Sequence, residues 1–252
     1  KPMAQQQGLQ ITAREARFLL DANKLELRGS PTLLHWQKPP ARPGPPPDLV
    51  VKVIQVDWFP ASGVLSAPGA VAGERRLGKG SKPQTITASG MEGNTEQRQL
   101  TLFAPVRFVD PSRDAVVNAQ RTEVDLARET ISSGAPFEAR AGSSQAWGEA
   151  FVIDLQRSSG HVPRGCRLQQ PAESLQAQQC SWNWQQRRFV ASGDVELRRS
   201  APQQITRSSS LAGRLGSGGE ALFSTPGGRV QTTLKLPSKP QGKPAPRSAI
   251  AL

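Results

Sequence analysis

Apolar and polar residues alternate with a period of two along most of the chain, and polar turns interrupt the alternation about every 8 to 12 residues. That pattern predicts short antiparallel strands joined by tight turns, as in a sandwich, barrel or jellyroll. Helical periodicity is confined to one short turn, expected near residues 143–150 (SSQAWGEA).

A tighter template runs through the alternation. Apolar residues fall at x, x+2 and x+4; a polar turn follows; two more apolar residues fall at x+9 and x+11, and Gly closes the unit at x+13. Ala16, Phe18, Leu20, Leu25, Leu27 and Gly29 occupy these marks, and Cys180, Trp182, Trp184, Phe189, Ala191 and Gly193 occupy them again at a constant offset of 164. Val56, Trp58, Leu65, Ala67 and Gly69 make a third copy with Pro60 at x+4. Weaker copies run through Met91, Thr95, Leu100 and Leu102, and through Thr122, Val124, Leu126, Ile131 and Ser133 with Gly134 one place early. Phe151, Ile153, Leu155 and Val162 form a hairpin one residue out of step. Alternate residues share one face of a strand, so each unit is a hairpin with one apolar face. A lone hairpin is marginal in water, and the units must stack to bury that face. The closing Gly marks a bend or bulge.

Two stretches break the alternation. Residues 38–48 (KPPARPGPPPD) are too rich in proline for a central strand and read as a stiff surface loop; their PxxP match reads as a spacer. Residues 237–252 read as a disordered basic tail, and residues 73–84 (GERRLGKGSKPQ) as a basic loop. The resulting division is a leading segment 1–7, a β domain over 8–236 and the tail 237–252.

The net charge of +12 calls for an anionic partner: nucleic acid, an anionic membrane surface or a phosphorylated glycolipid. The excess peaks beyond residue 201, where Arg207, Arg214, Arg229, Lys235, Lys239, Lys243 and Arg247 face one acid, Glu220; a solvated, soluble terminus accounts for that equally well. No run approaches the ~18 consecutive apolar residues of a membrane helix. The chain starts at Lys1 rather than Met, which reads as a processed or partial chain whose signal or anchor would lie upstream.

Signals of catalysis are weak. Gly73 to Gly80 falls short of a phosphate-binding loop, because no Ser or Thr follows Lys79 and Lys82-Pro83 leads into a strand rather than a helix. His35 and His161 stand in separate strand segments, no Cys or His pair has zinc spacing, and LGSGGEA around Ser217 lacks the Gly-x-Ser-x-Gly of a nucleophile elbow. The chain therefore reads as a non-enzyme with no catalytic residues, no metal and no cofactor. Cys166 and Cys180 fall in adjacent hairpins and are either a disulfide or two buried thiols. Trp182 and Trp184 share a face opposite Ser181 and Asn183, which separates aromatics from charges and favours a core or groove over a nucleic-acid stacking platform.

The hairpins AREARFLLDANKLELRG and CSWNWQQRRFVASGDVELRR resemble the repeats of the lipopolysaccharide-transport β-jellyroll (OstA-like) family, which includes LptA, LptC and the periplasmic part of LptD. The phrase Ala191-Ser192-Gly193-Asp194-Val195-Glu196-Leu197, the run 122–140 and the segment 227–237 are similar to that family's repeat ending, and the number and order of units resemble its LptC branch. The resemblance covers roughly residues 8–236. It implies an all-β fold, an open V-shaped β-jellyroll of stacked antiparallel hairpins, whose inner face shields acyl chains. On that reading the lipid groove is lined by Phe18, Leu20, Leu25, Leu27, Val56, Trp58, Leu65, Leu100, Leu102, Val124, Leu126, Ile131, Trp182, Trp184 and Phe189. The implied partners are lipopolysaccharide or a similar glycolipid, inner-membrane ABC transporter subunits and a second jellyroll docked by its strand edge, with no nucleic acid. The implied location is the periplasm, associated with the inner membrane through an upstream anchor. The chain departs from the LptC pattern in having no N-terminal membrane helix, and in its proline-rich stretch and basic tail. A closed-core structural or adhesive repeat protein and a basic nucleic-acid binder are the alternative readings.

Overall fold

The computed structural model describes residues 3–6, 9–36, 49–75, 82–200, 203–214 and 221–235. The proline-rich stretch 38–48, the tail 237–252 and the centre of the basic stretch 73–84 lie outside the described residues. Every regular element described is a strand: β1 (Met3–Gln6), β2 (Leu9–Thr12), β3 (Glu15–Leu19), β4 (Lys24–Trp36), β5 (Leu49–Phe59), β6 (Val64–Arg75), β7 (Gln84–Asn94), β8 (Gln99–Phe103), β9 (Val106–Asp110), β10 (Ala115–Ala119), β11 (Thr122–Asp125) and β12 (Thr130–Ser133). The chain continues as β13 (Phe137–Ala141), β14 (Ser144–Gly148), β15 (Phe151–Asp154), β16 (Ser159–Val162), β17 (Cys166–Gln169), β18 (Glu173–Ala177), β19 (Gln179–Asn183), β20 (Arg188–Ser200), β21 (Gln203–Arg214), β22 (Ala221–Ser224) and β23 (Gln231–Lys235). The helical turn expected near 143–150 is instead β14, because ladders to β13 and β17 override the local helical pattern. Among the described residues no helix is long and apolar enough to cross a membrane.

All pairings are antiparallel, and they sort the strands into two facing layers. The first layer runs β3, the N-terminal half of β4, the C-terminal half of β5, the N-terminal half of β6, the C-terminal half of β7, then β8, β11, β12, β15, β16, β19, the first half of β20, the second half of β21, and β22. The second runs β1, β2, the other halves of β4 to β7, then β9, β10, β13, β14, β17, β18, and the other halves of β20 and β21, ending at β23. The result is a β-jellyroll of stacked hairpins. The layers join along a spine, where the long strands bend and shorter strands cross over, and they are free along the opposite margin, where the turns lie. Met3–Gln6, within the leading segment 1–7 of the sequence division, adds a strand to the second layer through β2.

The spine has its own chemistry. Register breaks fall between Arg28 and Thr32, Lys52 and Asp57, Pro68 and Val71, and Ser192 and Val195. These are the bends at which Gly29, Gly69 and Gly193 close the sequence template. Gly69 and Gly193 have φ of 94° and 75°, a region that disfavours any side chain. In β5 the buried residues are Val51 and Val53 before the bend and Val56 and Trp58 after it, so the alternation changes phase there and the inward face stays inward. Backbone groups freed at the spine find local partners: Thr32 Oγ1 donates to the Ile54 carbonyl at 3.1 Å, Ser133 Oγ to that of Arg121 at 2.7 Å, and the Gln178 N–H to that of Gly193 at 2.8 Å.

The turns at the free margin are equally regular. Asn94, Asp125, Asp154 and Asn183 recur about every thirty residues, and each side-chain oxygen accepts one or two backbone N–H bonds from its own turn. The residue closing each of these turns, Arg98, Glu129, Ser158 or Arg187, sits at positive φ.

The two bend glycines differ in what surrounds them. A Cβ on Gly69 meets nothing within 4 Å, whereas one on Gly193 lands 2.4 Å from the Gln178 side chain. Gly69→Ala is expected to cost backbone strain alone, roughly 1–2 kcal/mol. Gly193→Ala adds a collision and should destabilise more. Urea unfolding of the two variants checks the order, and equal losses would contradict this account of the spine.

Candidate functional site: an apolar trough between the layers

Cross-strand register aligns the inward residues into continuous rows. In the first layer one row passes through Phe18, Leu25, Trp58, Leu65, Gly93, Leu100, Val124, Ile131, Ile153, Gly160, Trp182 and Phe189. The facing row of the second layer passes through Ile11, Leu34, Val51, Gly73, Ile86, Phe108, Val117, Ala139, Ala146, Leu168, Leu175 and Leu197. The outward neighbours Glu26, Asp57, Glu92, Thr101, Glu123 and Ser132 are polar. Two apolar faces therefore look at each other across the interior, and each fully buried Leu or Val there contributes about 1.5–3 kcal/mol.

The interior is not filled evenly. Between the layers, towards the free margin, lies a cavity of about 110 Å³. Leu49, Val51, Val71, Gly73, Ile86 and Phe108 form its second-layer wall, and Met91, Leu100, Leu102, Val124, Leu126, Ile131 and Leu155 its first-layer wall. Arg75, Gln84, Arg98, Asp125, Glu129 and Thr130 stand at its rim. The Arg98 Nε is buried without a hydrogen-bond partner. An apolar cavity with a few polar groups gathered at its mouth suits an amphiphile: the walls take hydrocarbon and the rim takes the head.

Further along, the layers close. The Phe137 and Phe151 rings meet edge-on across them at 5.0 Å. A Cβ on Gly148 would stand 2.4 Å from Val162, and one on Gly160 2.5 Å from the Trp182 ring, so only glycine admits these contacts. Cys166 and Cys180 form a disulfide, which ties β17 of the second layer to β19 of the first. At the free margin the Arg113 guanidinium, in the β9–β10 turn, lies 5.7 Å from the centre of the Trp184 ring, in the β19–β20 turn. Arg113 is held by Asp110 at 3.0 Å, and Asp110 also accepts from Gln84 at 2.9 Å and from Ser112. Burial pushes the Asp110 carboxyl up, but the bonds from Ser112 and Gln84 and the Arg113 charge outweigh it and hold the group below the usual carboxylate range.

The residues marked in the sequence divide among these environments. Leu100, Leu102, Val124, Leu126 and Ile131 line the cavity. Leu27, Val56, Trp58, Leu65 and Phe189 are buried core, and Leu25 and Trp182 pack against it half-buried. Phe18 is in the row but 48% exposed, because among the described residues β3 is an edge strand paired only with β4. Leu20 is not in the trough: it opens the β3–β4 turn and is 80% exposed. Trp184 likewise lies in a turn, at the lip rather than on the strand. His161 is in the outward row, its Nδ1 3.1 Å from the Cys180 carbonyl oxygen, and burial lowers the pKa of His35. Gly73 lies within β6 and faces the cavity, so the near phosphate-loop motif begins inside a strand. Among the described residues no group of three or more His, Cys, Asp or Glu side chains could hold a metal ion. The whole second-layer wall of the cavity went unmarked, although Leu49, Val51 and Val53 alternate plainly in the sequence.

Replacing Cys166 and Cys180 together with Ala is expected to lower the unfolding free energy by about 3 kcal/mol through the freed loop. Chemical denaturation of wild type and double variant measures it, and coincident unfolding curves would show that the bridge does not stabilise the closed half.

No known family's sequence pattern matches the chain, and no curated protein is similar to it in sequence. Among solved structures the chain is similar to LptH from Pseudomonas aeruginosa, described as the LptA homologous periplasmic component of the lipopolysaccharide transport device, with 11% identity and a TM-score of 0.38 over 51% of this chain and 82% of that one.

Proposed function

We propose that this protein is a non-catalytic lipid carrier that works in the periplasm as a component of lipopolysaccharide export, of the LptC branch its hairpins resemble. It shields the acyl chains of a glycolipid between its two layers. The lipid arrives from an inner-membrane ABC transporter and leaves to a neighbouring jellyroll. The observation that carries this reading is the cavity: two facing apolar walls opening at a polar margin where Arg75 and Arg98 stand beside Asp125 and Glu129. Each methylene placed there rather than in water is worth about 0.8 kcal/mol. The unpartnered Arg98 Nε offers a donor to an anionic head group at the rim.

Three further features support the reading. A disulfide suits an oxidising compartment. The edge strands β3 and β22 of one layer, and β1 and β23 of the other, each pair on one side only among the described residues, which leaves templates for a neighbouring jellyroll's strands. An open cavity also favours a carrier over a repeat protein with a fully packed interior, and Trp58 and Trp182 lie in the inward row rather than on the outer face.

A photoreactive amino acid at Leu126 or Phe108, on opposite walls, is expected to capture lipopolysaccharide in cells, and one at Val152 on the outward face is not. Capture at none of the three, or equally at all three, removes the carrier reading.

A further inference from the structure

The margin of the trough is open beside the cavity and bridged immediately past it. The last first-layer turn contributing to the cavity holds Leu155, and the next turn along that margin holds Trp184. On the opposite lip, Gln84 lines the cavity and donates to Asp110, which binds Arg113, whose guanidinium lies over the Trp184 ring. An unbroken chain of contacts thus runs from the cavity wall on one layer to the lip of the other. Behind it, Trp182 lies flat on Gly160, and Ala139 and Ala146 occupy the facing row. Trp182 packs half-buried against the core there.

We propose that the Arg113–Trp184 contact is a latch across the mouth of the trough. Closed, it ends the cavity at the β9–β10 turn. Released, it lets the lips part and joins the cavity to the disulfide-tied half beyond. This rests on the carrier reading only for what moves through the gap; the latch itself is a matter of the two turns. Its chemistry suits a device that opens. Arg113 remains about half exposed (56% for its side chain), its contact with the ring is a single cation–π pair, and the buried Asp110 keeps its bonds to Gln84 and Ser112 when the arginine swings away. The disulfide lies towards the spine, at the start of β17, so the layers stay tied while the lips move.

Spin labels on Gln156→Cys and Ser143→Cys, on opposite lips and flanking the latch, report the gap by pulsed electron resonance; the native cysteines are bridged and take no label. In Arg113→Ala and Trp184→Leu the distance distribution is expected to shift to longer values and broaden, and in Trp184→Phe, which keeps a ring, to stay as in wild type. Distributions in Arg113→Ala and Trp184→Leu that superpose on wild type overturn the latch. A photoreactive dodecyl phosphate tests the cargo separately. It should label Leu126 in all forms and reach Leu211 only in the released variants. If it labels nothing in wild type the carrier reading fails, while the spin-label distances still decide the latch.

Discussion

A strand shows its apolar side chains to one side only, and this fold asks single strands to serve two layers that face each other. Everything else depends on the bend that makes this possible. At the spine of β5 the inward residues change from Val51 and Val53 to Val56 and Trp58, an interval that shifts the alternation by one place. β7 does the same between Ala88 and Met91. In β4, β5 and β7, without the shift one half of the strand would turn its apolar residues to water, because a one-residue slip reverses every side chain. By contrast, β6 and β20 keep one phase through the bend, burying Leu65, Ala67 and Val71 in the first and Phe189, Ala191, Val195 and Leu197 in the second. The bends are made with bulges, with glycine where φ is positive, and with Thr and Ser hydroxyls that bind the carbonyls the ladder gives up there.

The same bend explains what the sequence reveals and what it hides. A period-two template stays in phase through one hairpin of the first layer, so Leu25, Leu27, Trp58, Leu65, Trp182 and Phe189 are legible as one face. It ends at the closing glycine, so the second layer's Val51, Ile86 and Phe108, which complete the cavity, fall outside its marks. Leu20 and Trp184 satisfy the template numerically but fall in turns, because a strand ends where the backbone enters a four-residue loop, whatever the hydropathy of its next residue. A better marker of those loops was present throughout: Asn94, Asp125, Asp154 and Asn183, whose side chains cap the turns. The misplaced helical turn has the same lesson, since the neighbouring strands, not local preference, decided the conformation of Ser144–Gly148.

The trough is therefore two things in series. Its first part, bounded by β5 to β12, has large side chains on both walls that do not meet, and a cavity remains between them. Its second part has Gly148, which lets the second layer approach Val162 of the first, Gly160, which seats the Trp182 ring within the first layer, and a disulfide that fixes the approach. Packing of this density tolerates little intrusion, whereas the first part keeps open space between its walls.

The pairing of charges differs between the outward face and the free margin. On the outward face acids and bases neutralise each other: Lys24 lies 3.1 Å from Glu26 and 2.9 Å from Asp57, and the Arg198 and Arg207 guanidiniums, each 2.6 Å from Glu196, hold its carboxyl below the usual range. At the free margin the arginines are less committed. Arg128 and Arg157 are 80% and 83% exposed and reach Asp125 and Asp154 only at 3.7 Å, a separation at which water competes well with the carboxylate. Asp125, Glu129 and Asp154 stand on the same lip as these arginines, so that margin carries charges of both signs, loosely paired, whereas the floor between the layers is apolar.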